Sequence, residues 1–228
     1  MNSPTVAYAT FCCAKDRARV LDKVWEHEAS HRFAFDESFL IYQRVDASGA
    51  ICSASILGIQ IDAKDYPTIL GAFGIKYPDP VLDELTHGWD AAHYWAHHCV
   101  NHLETLLCAT ADYIVFSDGD CFIKESPPES WVTEGIKILE ENKSVFVVCP
   151  NDGGDARLES IMSQQMFLVS RKRFAEMEFI PWDGTFIPGG PFQEYYGLME
   201  GWIGRYMAKN GFYRAVLPPK WRYWHNAW

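Results

Sequence analysis

Short apolar runs alternate with longer amphipathic stretches along this chain. Seven runs have the near-continuous apolar content of buried strands, and they are Val6–Cys12, Phe39–Val45, Ile56–Ile61, Tyr113–Ser117, Val145–Cys149, Met166–Ser170 and Tyr213–Leu217. Helical patterns lie between them, at Lys15–Ala29, Asp90–Thr110, Glu129–Asn142 and Tyr196–Asn210. Strands that alternate with helices of this length predict an α/β fold, with a mostly parallel central sheet flanked by helices.

Composition and charge narrow the class of protein. The 228 residues are 48% hydrophobic and 22% charged, without a repeat or a Ser/Gly-rich linker, which predicts one domain over residues 1–228. A formal charge of −10 argues against a nucleic-acid partner. No apolar run is long enough for an integral membrane span. The start of the chain does not resemble a secretory signal, and the seven cysteines include no C-x-x-C pair. We therefore expect a cytoplasmic protein with reduced thiols.

The segment Asp118-Gly119-Asp120 directly follows the predicted strand Tyr113–Ser117. Ligands of open α/β sheets gather at the carboxyl ends of the strands. Two carboxylates one residue apart repel each other unless a positive charge lies between them. A hard divalent cation, with a diphosphate completing its oxygen ligands, meets that need. An ordinary acidic turn that closes a strand remains the alternative.

Four passages together resemble the nucleotide-sugar-dependent glycosyltransferases of the GT-A fold. ADYIVFSDGD is similar to the strand and DXD metal motif of that family, and PTVAYATFCCAKD resembles its first strand and following loop. SQQMFLVSRKRF is similar to its strand before a basic turn, and GLMEGWIGRYMAKNGF resembles the helix that opens with an acidic pair. The resemblance implies a single Rossmann-like GT-A domain. Residues 1–120 would form the nucleotide-binding half and residues 121–228 the acceptor side.

The resemblance also implies a reaction and a cofactor. The donor would be a nucleotide-diphosphate sugar, with a UDP- or GDP-sugar favoured, and the acceptor a hydroxyl of a glycan or another molecule. Mn²⁺ or Mg²⁺ would be held by Asp120, and Asp118 would bind the same metal, a metal-bound water or the ribose. Gly119 between them would allow a close approach of the backbone. The metal would neutralise the leaving diphosphate.

Further site residues follow from the same resemblance. Thr10 and Phe11, at the end of the first predicted strand, would line the base pocket, and Asp46 would contact the base or ribose in the same way. Arg171 would reach the diphosphate. His225 lies in the aromatic segment KWRYWHNAW and would be a further metal ligand. A packing histidine, a solvated arginine and ordinary turn residues are the competing explanations for these positions.

The catalytic base is assigned by position. Inverting members of the family carry an acidic pair at the opening of the late helix, where this chain has Met199-Glu200. The base would therefore be Glu200, with Glu194 as the competing candidate, and the transfer would invert the anomeric configuration. A carboxylate at the start of a helix also favours the helix dipole, which is the alternative explanation of Glu200.

Two other functions compete with glycosyl transfer. A nucleotidyltransferase that makes sugar nucleotides would bind the same nucleotide, but the segment FCCAKDRAR lacks the Gly-rich basic loop usual in such enzymes. A non-catalytic carbohydrate-binding protein would use the Trp-rich end of the chain for stacking on sugars. Such a module would have no need of an Asp pair at the end of a buried strand.

Overall fold

The computed structural model describes residues 3–13, 24–43, 56–61, 63–75, 91–119, 121–123, 128–151, 165–177 and 199–225. Their strands are β1 (Val6–Cys13), β2 (Glu37–Gln43), β3 (Leu57–Ile61), β4 (Tyr113–Asp118), β5 (Cys121–Ile123), β6 (Val145–Cys149), β7 (Met166–Ser170), β8 (Tyr213–Val216) and β9 (Tyr223–His225). Their α-helices are α1 (Val24–Ser30), α2 (Tyr66–Ala72), α3 (Ala91–Cys108), α4 (Trp131–Glu141), α5 (Arg171–Ala175) and α6 (Met199–Asn210).

Seven strands form one mixed sheet in the order β3-β2-β1-β4-β7-β6-β8. The strands β1 to β4 pair in parallel, and β6 pairs in parallel with β8. Within this sheet only β7 runs the other way, antiparallel to both β4 and β6. The α/β class and the mostly parallel sheet predicted from the sequence are confirmed.

Apolar side chains cover both faces of this sheet, which explains why the sequences of its strands are nearly continuous apolar runs. Along β1, Ala7 and Phe11 face one apolar layer and Val6 and Tyr8 face the other. The first layer contains side chains from α2, α3 and α6, and the second contains side chains from α4 and from the small β5–β9 sheet. The sheet is therefore buried from both sides, and its strand ends are left to carry polar groups.

The sequence pattern missed the shortest elements. The strands β5 and β9 have three residues each, and α2 and α5 have seven and five. Such lengths hold too few positions for a periodic pattern to emerge. Only the second part of the helix predicted over Lys15–Ala29 falls within the described residues, as α1. No helix in the part of the chain that the structure describes is both long and apolar enough to cross a bilayer.

Gly135 lies where α4 packs closely against the sheet. A Cβ at this position would lie 2.7 Å from Cδ2 of Leu168 and 3.4 Å from Cγ1 of Val148. We expect Gly135→Ala to lower the free energy of unfolding by about 1 kcal/mol, because crowding in a packed core outweighs the gain in helix propensity. Urea unfolding of the purified chain measures this change.

Gly71 is the matched control, since it lies in α2 and a Cβ there would meet no atom within 4 Å. We expect Gly71→Ala to raise the free energy of unfolding by about 0.5 kcal/mol through helix propensity alone. Equal stabilisation by both substitutions would show that α4 can move away from the sheet without cost.

Candidate active site at the carboxyl edge of the sheet

Asp118 is the last residue of β4, at the edge where the parallel strands β1, β2 and β4 end. Its neighbour across the ladder is Phe11 of β1. The Asp118 N–H donates to the Gln165 carbonyl at 2.7 Å, and the Gly119 N–H donates to the Phe11 carbonyl at 3.1 Å. The backbone of Asp118 and Gly119 is thus fixed from both sides, while the Asp118 side chain stays half-buried.

The strand β5 begins shortly after Asp118 and Gly119, and it forms a small two-stranded sheet with β9. Asp120 itself lies outside the described residues, but Gly119 before it and Cys121 after it are both described and buried. The strand β5 pairs antiparallel with β9, and the register sets Cys121 opposite His225. The Cα atoms of such a pair lie about 4.5 to 5.5 Å apart. The backbone of His225 therefore lies beside the residue that follows Asp120; its side chain is outside the described part.

Gln165 and Tyr223 are structural residues of the site that the sequence pattern did not reveal. The hydroxyl of Tyr223, in β9, donates to Oε1 of Gln165 at 3.1 Å. The carbonyl of the same glutamine accepts from the Asp118 N–H. One residue thus connects the end of β4 with the strand that carries His225. The sequence carried no signal for this link, because its two residues lie 58 positions apart.

The start of α6 lies on the same side of the molecule. Burial raises the pKa of the Cys99 thiol, and a hydrogen bond with the Met199 backbone partly offsets that rise. His102, one turn further along α3, packs on Phe11 with ring centroids 4.7 Å apart. Because α3 runs antiparallel to β4, Cys99 is nearer to the carboxyl edge than His102 is. The backbone of Glu200, next to Met199, is therefore held towards this edge.

A layer of rings lies directly under the edge. His102 is buried, and its ring lies 4.8 Å from Phe116 and 5.8 Å from Phe167, centroid to centroid. Phe11 completes this layer. Ring contacts of this kind fix side chains in single rotamers and add about 0.5 to 1.5 kcal/mol per pair. The floor beneath Asp118 is consequently rigid.

Thr10 and Phe11, which were expected to line the base pocket, lie within β1 close to the carboxyl edge. Both were expected at the end of the first strand, but β1 continues to Cys13. Thr10 is fully buried and Phe11 is 8% exposed. Their part in lining a base pocket stays a prediction. Asp46 lies outside the described residues, as does Glu194, and the side chain of Glu200 is outside them too.

Arg171 lies at the wrong edge of the sheet for a diphosphate held by Asp118. Because β7 is antiparallel to β4, Ser170 pairs with Tyr113, at the amino end of β4. The Arg171 N–H donates to the Asp112 carbonyl, and its Nε donates to the Ala111 carbonyl, each at 2.9 Å. Five strand residues, about 17 Å, separate this end from Asp118. Arg171 is therefore too far away to reach a diphosphate held by Asp118.

The neighbourhood of Arg171 has its own structural function. Asp112 accepts hydrogen bonds from the backbone N–H and the hydroxyl of Thr5, at 3.0 Å each. These bonds, and then the charge of Arg171, lower the pKa of the Asp112 carboxyl. The amino ends of β1, β4 and the β7–α5 turn are fastened together here, far from the carboxyl edge.

The residues at the carboxyl edge suit a hard divalent cation. A half-buried carboxylate that ends a buried strand, on a backbone fixed from both sides, offers the oxygen ligand that Mg²⁺ and Mn²⁺ prefer. Among the described residues no group of three or more His, Cys, Asp or Glu side chains could hold a metal ion. Of the three expected ligands, only Asp118 has its side chain within that part.

No protein-family model matches the chain, and no curated protein matches it. Solved structures, however, do match this chain. Glucosyl-3-phosphoglycerate synthase from Mycobacterium tuberculosis, in complex with Mg²⁺ and UDP, is 13% identical with a TM-score of 0.54, over 98% of this chain and 72% of that chain. A mannosyltransferase from Pyrobaculum calidifontis, in complex with GDP-Man and Mn²⁺, is 12% identical with the same TM-score, over 97% and 56% of the two chains.

These likenesses define the fold. The mixed sheet with its flanking helices is that of the GT-A nucleotide-sugar glycosyltransferases. This chain spans only a little over half the length of the mannosyltransferase. At 12 to 13% identity the comparison defines the architecture and leaves the reaction to be argued from the site.

Proposed function

We propose that the chain is a glycosyltransferase that moves a sugar from a nucleotide-diphosphate donor to an acceptor hydroxyl. The observation that carries the proposal is the position of Asp118 at the carboxyl end of β4, with β9 bringing the His225 backbone beside the Asp-x-Asp segment. Both similar structures were obtained with a divalent metal ion and a nucleotide, UDP in one and GDP-Man in the other. A UDP- or GDP-sugar is accordingly the donor that we propose.

In this proposal the metal ligands are Asp118, Asp120 and His225. A bound Mn²⁺ or Mg²⁺ would supply positive charge to the leaving diphosphate, where negative charge develops. The chain's own part is to hold Asp118 at the end of a paired strand, with the His225 backbone on the neighbouring small sheet. The fixed backbone of Gly119 keeps Asp118 in register with β1.

The acceptor hydroxyl needs a general base on the side opposite the leaving group. We propose Glu200 for this role, with Glu194 as the alternative, and an inverting displacement as its consequence. The contact between Met199 and Cys99 supports the assignment, since it holds the start of α6 towards the carboxyl edge. A glycan is the acceptor class that we favour, and a cytoplasmic location stays a prediction.

A thermal-shift panel with UDP, GDP, CDP and dTDP, each with and without Mn²⁺, tests this function. We expect one diphosphate to stabilise the chain only when Mn²⁺ is present. At about 100 times its dissociation constant it should add about 2.7 kcal/mol, or roughly 5 to 10 °C for a chain of this size. The base of that diphosphate then identifies the donor.

The control variants lie at the two ends of the same strand. Asp118→Asn should abolish the metal-dependent shift, whereas Asp112→Asn, at the amino end of β4, should keep it. No shift with any nucleotide, or equal shifts in both variants, would contradict the proposed site.

A further inference from the structure

The small sheet next to the proposed metal site has two unlike faces. Its inner face is formed by Cys121, Ile123 and Tyr223, which are buried in the core. Because side chains alternate along a strand, Phe122 and Trp224 lie on the outer face, where the register sets them opposite each other. Trp224 is 43% exposed. Of the large apolar side chains described, it is the one aromatic residue with such exposure.

The exposed indole is held in a defined orientation. The guanidinium carbon of Arg222 lies 4.5 Å from the centroid of the Trp224 ring, which is a cation–π contact. The main chain beneath is fixed as well, since the Tyr223 N–H donates to the Asn151 carbonyl at 3.1 Å. An ordered aromatic surface beside a planar group of N–H donors suits a ligand with an apolar face and hydroxyls at its rim.

This surface is also close to the proposed reaction. Phe122 follows Asp120 by two residues, and a strand advances about 3.4 Å per residue. Trp224 precedes His225, the other proposed ligand, by one residue. The backbones of Phe122 and Trp224 therefore lie within about two residues of the proposed ligands along the chain, and the indole lies on the outer face of the same small sheet.

We infer that Trp224 is the stacking surface of an acceptor subsite, which binds a hexopyranose ring of a carbohydrate acceptor. The inference rests on the proposed function, and it adds the residue that would select the acceptor and the kind of ring that this residue binds. The C–H face of a pyranose matches the area of one indole, and Arg222 can donate to the hydroxyls at its edge. A membrane surface fits less well, because a single exposed ring buries little apolar area in lipid.

Saturation-transfer NMR tests this subsite. The probes are methyl β-D-glucopyranoside, methyl β-D-galactopyranoside and methyl α-D-mannopyranoside at millimolar concentration, added to the full chain with Mn²⁺ and the stabilising diphosphate, or Mn²⁺ alone if none stabilises. We expect transfer to the protons of one ring face for at least one glycoside. Trp224→Ala should weaken its binding at least tenfold, and Trp224→Phe should restore part of it. Leu107→Ala, which removes another exposed apolar side chain, is the matched control and should change nothing.

Failure of this inference can be told apart from failure of the proposed function. The metal-dependent thermal shift with the diphosphate should be the same in Trp224→Ala as in the unaltered chain. Glycoside binding that survives Trp224→Ala, or no binding of any of the three probes, would overturn the subsite even if that shift is present. Co-sedimentation with phosphatidylserine vesicles that Trp224→Ala abolishes, without glycoside binding, would overturn it in favour of a membrane contact.

Discussion

Replacing Asp120 by Asn is expected to lower the rate of donor turnover by at least about 100-fold, because the substitution removes a negative charge from the proposed metal site and keeps the shape of the side chain. The free energy of unfolding should change by no more than about 0.5 kcal/mol, because Asn keeps the size and shape of the Asp side chain. Release of nucleoside diphosphate from the donor sugar, at saturating Mn²⁺, measures the rate.

The result for Asp120→Asn is informative only beside a variant with an equal loss of charge. Asp112→Asn provides it, since Asp112 lies at the opposite end of β4. We expect its turnover to stay within about twofold of the unaltered chain. If Asp120→Asn turns over the donor at the normal rate, the Asp-x-Asp segment is a turn and does not bind the metal.

Substitution of the proposed base should produce the second large effect. We expect Glu200→Gln to lower kcat by about 100- to 10,000-fold with little change in the KM for the donor, because a glutamine cannot accept the hydroxyl proton. The acidic limb of the pH profile of kcat should disappear as well. Initial rates over a range of pH, with the acceptor that the glycoside experiments identify, measure both.

Two further variants separate catalysis from helix stabilisation. Glu134 lies in the first turn of α4 and favours that helix dipole in the same manner, so Glu134→Gln should leave kcat unchanged. Glu194→Gln tests the competing base. Loss of activity in Glu194→Gln but not in Glu200→Gln would transfer the role to Glu194, and activity in both would contradict an inverting displacement with either base.

The order of strands and helices was predictable because apolar runs and helical spacings of apolar residues each extend over several positions. β6 and β7 begin and end where the apolar runs VFVVC and MFLVS do. The direction of β7 was not predictable, since a strand buried on both faces carries the same pattern in either direction. That one reversal moved Arg171 from the expected diphosphate to the opposite edge.

The candidate site likewise contains residues that were predictable from the sequence and residues that were not. Asp118 was predictable, because a carboxylate directly after a buried strand is a local signal. The pairing of Cys121 with His225 was not, since it joins residues about a hundred positions apart through strands of three residues. The roles of Gln165 and Tyr223 depend on that pairing, so no pattern along the chain could reveal them.

The reaction rates of the buried thiols would report how often the segments around the candidate site open. Cys121 lies on the inner face of the small sheet and Cys99 beside the start of α6, and both are buried in the folded chain. A thiol reagent reaches either sulfur only when the covering segment opens, so its reaction rate reports the frequency of that opening. The two cysteines would therefore record separately how often the small sheet and the start of α6 leave their places, and whether a bound nucleotide slows one, the other or both.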